Sequence, residues 1–240
     1  MKPFALEHNS ARATAVGREN GQTAYSLPLQ SAHLGNLLLL KEWLTALFCS
    51  NRCPGDLILK TYDVAKAMRD AGVPVVGGFQ TPMEKECLRL LLRGSQPIVI
   101  CPARGIENMR IPRDWRPALD AGRLLIISPF SNAYRRPTLK LAAERNRIVA
   151  SLAKCIFITH ATPNGSIETL ARELVTTGKF LLTLPSSANA NLLALGAQAV
   201  EPEDAADVIL RHHASDGNTA MHKCINSPAS SGCKLPASCK

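Results

Sequence analysis

Residues 138–186 read TLKLAAERNRIVASLAKCIFITHATPNGSIETLARELVTTGKFLLTLPS: a helical pattern, an apolar strand, a polar turn, a second helix and a second strand. On a helix starting near Leu139, Ile148 and Leu152 project within about 20° of Leu141, and Arg145 falls about 40° from it. That places a guanidinium on the core-facing stripe. Arginine keeps its charge when buried, so it needs a carboxylate, a set of carbonyls or a phosphate as partner. The layout therefore points to a ligand crevice more directly than to a reaction.

Outward from this stretch the same alternation continues. Apolar runs recur at 46–50 (ALFCS), 73–79 (VPVVGGF), 97–103 (PIVICPA), 123–130 (RLLIISPF), 155–161 (CIFITHA) and 180–186 (FLLTLPS), with helical stretches in most of the gaps. Runs apolar on successive residues suit strands covered on both faces. The expected fold is α/β, a doubly wound, mostly parallel Rossmann-like sheet with helices on both faces. Ligands of such sheets bind outside the carboxyl ends of the strands, where the Ser, Gly, Pro and Thr that end these runs gather.

The flanks differ in composition. Residues 1–40 show neither helical nor strand period and read as an irregular leader, 41–211 as the domain, and 212–240 as a disordered basic tail rich in Cys and Ser. His212, His213, His222, Cys224, Cys233 and Cys239 match no compact ligand spacing, and no metal is expected. Cys87, Cys101 and Cys155 fall within apolar patterns and read as reduced core residues. No apolar run approaches the roughly 20 residues that span a bilayer, and the first residues lack an export signal. The expected location is the cytoplasm.

A net charge of +9 favours a polyanionic partner. With aromatic residues at only 5%, phosphate contacts rather than stacking should dominate any nucleic-acid binding. Neither the dinucleotide fingerprint nor a Walker A loop is present, so no cofactor is expected. Three segments could meet an anion. The loop Cys49-Ser50-Asn51-Arg52 follows the first strand. Thr81-Pro82-Met83-Glu84 is a capping box that starts a helix beside Gly77 and Gly78, where the lack of side chains permits close approach. Asn164-Gly165-Ser166 precedes another helix. Each also has a local structural reading, as cap or tight turn, and His160 reads as a structural hydrogen-bonder.

The stretch ERNRIVASLAKCIFITHATPNGSIETLARELVTTGKFLLTLPSSANANLLALGAQAV (144–200), with VGGFQTPMEKECLRLLLRGSQPIVICPARGI upstream, resembles the DNA-processing protein A (DprA/Smf) family over about residues 44–200. The resemblance implies single-stranded DNA binding, without catalysis, through a basic pocket at the sheet edge. It further implies a role in DNA processing, recombination or natural transformation, with a recombinase as partner and a homodimer as assembly. It makes Arg52, Arg145 and Arg147 phosphate contacts, and Ser50, Gly77, Gly78, Asn146, Gly165 and Ser166 pocket-shaping residues. Thr81, Arg104 and Asn164 complete the expected DNA- or nucleotide-binding set. Departures are Cys49-Ser50-Asn51-Arg52 for the family's G-S-R opening, Gly77 for a serine, Pro82-Met83-Glu84 for Gly-Ile-Asp and His160 for a glutamate. No winged-helix pattern follows residue 200. The alternatives are a free-nucleotide sensor and a LOG-like nucleoside-monophosphate phosphoribohydrolase. For the latter, Glu168 echoes the catalytic glutamate three residues early and the turn lacks its second glycine and threonine.

Overall fold

The computed structural model describes residues 17–19, 22–24 and 31–225, with side chains from 31 to 216. All six apolar runs are strands: β4 (Thr45–Cys49), β5 (Val75–Gly77), β6 (Ile98–Ile100), β7 (Leu124–Ser128), β8 (Cys155–His160) and β9 (Phe180–Thr183). With β3 (Ala32–Gly35) and β10 (Gln198–Ala199) they form one sheet ordered β10-β9-β8-β4-β5-β6-β7-β3. Every pairing in it is parallel except β3 on β7.

Strand side chains alternate between two cores, as the pleat requires. Leu47, Val75, Ile100 and Phe157 face α1 (Gly55–Asp70), α2 (Pro82–Leu91), α3 (Arg116–Asp120) and α7 (Ala205–Ile225). Phe48, Val76, Val99 and Ile158 face α4 (Leu139–Leu152), α5 (Ser166–Thr176) and α6 (Ala190–Ala194). The doubly wound expectation holds. Cys87, Cys101 and Cys155 are free thiols buried in this packing.

Both flanks differ from the sequence reading. Within 1–40, β1 (Gly17–Glu19) and β2 (Gln22–Ala24) pair as an antiparallel hairpin, and β3 joins the main sheet. Strand β3 is four half-buried residues on a sheet edge, too short to show a period. The final helix does not stop at 211 but runs to Ile225. Ala205, Ala206 and Ile209 anchor it in the core, and His212 and His213 continue the contact, with ring centroids 4.0 Å from Phe180 and 5.1 Å from Trp43 respectively. Partly apolar rings thus extend the packing into a stretch whose composition reads as solvated. The remaining tail, with Cys233 and Cys239, lies outside the described residues. Among those described, no helix is long and apolar enough to cross a membrane.

Candidate functional site

Strand order reverses between β4 and β8: β5, β6 and β7 lie to one side, β9 and β10 to the other. This switch point leaves a crevice at the carboxyl ends of the two strands, flanked by residues 50–54 and 161–165. Ser50 stitches the flanks together, its backbone N–H donating to His160 O at 2.9 Å and its hydroxyl accepting from Thr162 N at 2.9 Å. The buried Ser50 therefore positions the loop. His160 is also buried and its Nδ1 meets Asn189 Oδ1 at 3.0 Å, a structural role. Arg52 projects to solvent, and among the described residues it forms no ion pair or hydrogen bond. Cys49 at the end of β4 and Cys53 in the loop after it perturb each other: the neighbouring Cys53 and burial push the Cys49 thiol up, while Cys49 draws Cys53 down against the effect of burial.

Two helices open on this crevice. The first turns of α1, capped by Pro54, and α5, capped by Gly165, receive no side-chain cap, so backbone N–H groups and the positive dipole end are presented to the edge. Asn164 holds the turn before α5 with φ 58°. The buried Glu168 fastens that turn: Oε2 accepts from Asn164 N and Asn191 Nδ2, each at 2.8 Å, and Oε1 accepts from Arg172. The Asn191, Arg172 and Asn164 bonds hold its carboxyl down at about 2. A depressed folded pKa contributes stability above the ordinary carboxylate value, lost as pH falls through the folded one. Glu168→Gln is expected to flatten acid unfolding between pH 4.5 and about 2, followed by circular dichroism; unchanged steepness would show that this carboxyl takes no part.

Beside β5 the structure forms a closed polar knot. Arg145 is 4% exposed and donates to Asn146 Oδ1 (2.8 Å), Cys101 O (3.1 Å) and Gln80 Oε1 (3.1 Å). Burial lowers its pKa, opposed by the nearby Glu84 charge. Of the partners its burial demanded, a carbonyl and two amide oxygens are the ones present. Gly78 makes room for this side chain: a Cβ there would lie 1.4 Å from Arg145 Nη1. Gly77 packs under the Phe79 ring. The capping box is complete, with Thr81 Oγ1 accepting from Glu84 N and Glu84 accepting from Thr81 N. Glu84 also accepts from Cys49 N at 3.1 Å and Gln80 N at 2.9 Å, so it ties the end of β4 to the start of α2.

The expected residues thus divide. Ser50, Arg52, Asn164, Gly165 and Ser166 come together at the crevice. Gly77, Gly78, Thr81, Arg145 and Asn146 form the adjacent knot, with the arginine turned inward. Arg147 faces α5, its Nε and Nη2 each 2.7 Å from the Glu173 carboxylate. Arg104 stands farther along the edge, after β6. Glu168 as a loop fastener was missed; its spacing to Asn164 is local, but Asn191 is 23 residues away.

The model of the family described as DNA recombination-mediator protein A matches residues 20–213. Solved structures share the fold. DNA processing protein A from Helicobacter pylori, described for its single-stranded DNA binding mode, has TM-score 0.66 at 17% identity, over 87% of this chain and 96% of that one. DNA processing protein A from Streptococcus pneumoniae has TM-score 0.60 at 19% identity, over 73% of this chain but only 64% of that one. The molybdenum cofactor binding protein of Rippkaea orientalis has TM-score 0.50 at 10% identity, over 70% of this chain and 95% of that one. No curated protein matches the chain.

Proposed function

The chain belongs to the DNA recombination-mediator protein A family, and on that premise we propose that it binds single-stranded DNA at the β4–β8 crevice during DNA processing, in the cytoplasm and without catalysis. The observation that carries this reading is Arg52, an exposed arginine with no protein partner among the described residues, on the loop that Ser50 ties to Thr162 and that leads into the uncapped start of α1. Such a site suits a phosphodiester: the guanidinium supplies charge and the N–H groups supply direction. Ser50, Gly165 and Ser166 shape it, and Arg145 and Asn146 brace the neighbouring β5 end. A recombinase would receive the strand. The binding role is favoured over a LOG-like hydrolase because both oxygens of Glu168 are engaged within the protein.

The test is fluorescence-anisotropy titration of a labelled 30-mer of single-stranded DNA across a salt series. Affinity should fall steeply with salt and vary little with base sequence. Arg52→Ala should weaken binding by about 1–3 kcal/mol and reduce the salt slope by about 0.7, as expected for one lost phosphate contact. Arg147→Ala, on the far side of α4, should leave the affinity unchanged. Equal losses in both variants would mean general charge attraction rather than a site.

A further inference from the structure

Farther along the same edge, two loops enclose a cavity of about 340 Å3, lined by Arg104, Gly105, Glu107, Asn108, Asn132 and Arg135. The loops follow β6 and β7 and are clamped by long-range hydrogen bonds. Ser128 Oγ donates to Arg104 O at 2.6 Å, Gly105 N to Tyr134 O at 2.9 Å and Glu107 N to Asn132 Oδ1 at 3.1 Å. Gly105 is required, since a Cβ would lie 2.6 Å from Asn132 Cα. Asn108 turns the chain with φ 56°. None of these clamping bonds uses the Arg104 or Arg135 guanidinium, so both arginine side chains can be truncated without breaking them.

Its lining is polar, with two arginines against one carboxylate, Glu107, and so a net positive charge. Among the described residues, neither the Arg104 nor the Arg135 guanidinium is given to a carboxylate or carbonyl. Two such groups lining one small cavity match an anion with several acceptor oxygens. The volume falls within the range of small-molecule sites, about 300–1,000 Å3. Strands β6 and β7 are two and three strands from β4, so the cavity sits about 10–15 Å along the edge from the crevice at ordinary strand spacing.

We propose that this cavity is a second phosphate-binding subsite, which takes a nucleoside phosphate either as a unit of the bound single strand or as a free nucleotide. The strand version rests on the DNA-binding reading above; the nucleotide version does not. Asn108 lines the space beside the arginines and supplies an amide for a base or sugar edge, and Asn132, whose Oδ1 is engaged by Glu107 N, adds its Nδ2 donor.

The test uses the full chain with Arg104→Ala and Arg135→Ala combined, substitutions that leave the clamping backbone bonds in place. Two probes are titrated: the labelled 30-mer in a salt series, and AMP by isothermal titration calorimetry. If the strand occupies the cavity, the double variant binds the 30-mer about tenfold or more weakly and its salt slope falls by about 1.4, equivalent to two phosphates. If a free nucleotide does, AMP binding is lost and the 30-mer affinity is unchanged. Wild-type protein that binds AMP but not the 30-mer, with AMP lost in the variant, supports the subsite while removing the DNA reading. A double variant that binds both probes like the wild type overturns the subsite and leaves the DNA reading standing; a wild-type protein that binds neither overturns both.

Discussion

Gly78→Ala is expected to cost about 3 kcal/mol of folding stability, because it displaces a buried charge hydrogen-bonded at all three nitrogens. The new Cβ would stand 1.4 Å from Arg145 Nη1 and 2.0 Å from Cζ. An arginine tip usually swings away, but this one is held by Asn146, Cys101 and Gln80 in a site 4% exposed. Either the end of β5 moves, or the guanidinium leaves and strands its acceptors. For a chain of this size the melting midpoint should drop by about 6–12 °C. Gly55→Ala is the matched control, since a Cβ there meets nothing within 4 Å and the position opens α1. Equal midpoints for the two variants would show that Arg145 is not locked in place.

Glu84→Ala should cost about as much, about 3–4 kcal/mol, through orphaned donors. It removes the acceptor from Cys49 N, Gln80 N and Thr81 N together, and with them half of the capping box. It also removes the negative charge that offsets Arg145. The pH dependence has a definite sign. Burial raises the Glu84 pKa above its ordinary value, so the folded chain holds this proton more tightly than the unfolded one. Its contribution to stability is full below the ordinary carboxylate value and is lost as pH rises through the raised one. Glu84→Gln, permanently neutral, should remove that dependence in urea midpoints taken from acid to neutral pH. A wild-type stability that rises across the same window in step with this residue would contradict the argument. Glu168 works in the opposite sense, weakening its loop as pH falls.

The parallel strands were legible because each is an uninterrupted apolar run, and α2 because its cap chemistry is local. Arg145 was legible as an inward-facing residue from helical spacing alone. Its partners were not: Gln80 and Cys101 lie 65 and 44 residues away, and only the fold brings them near. The same limit explains Gly78, whose lack of a side chain accommodates an arginine rather than a ligand. Strand β10, at two exposed residues, carries no pattern to find. The extension of α7 depends on Trp43 and Phe180, one from each end of the domain, meeting two histidines. The family resemblance makes Arg147 a phosphate contact, whereas its carboxylate partner on α5 lies 26 residues away in sequence.

The β4–β8 pairing also bears on how the chain reaches its folded state. Thr45 pairs with Cys155 and Cys49 with His160, whereas β4 pairs with β5 through Thr45 and Val75. Closing the longer loop costs more chain entropy, and pairings of high sequence separation slow folding. During synthesis from the amino terminus, β4 through β7 can associate while β8 has yet to emerge. The half-sheet then carries Arg52 on a loop that lacks its brace from Thr162 and His160. The crevice therefore closes late, with the second half of the chain, and nascent or truncated products ending before β8 would hold a partial sheet without it.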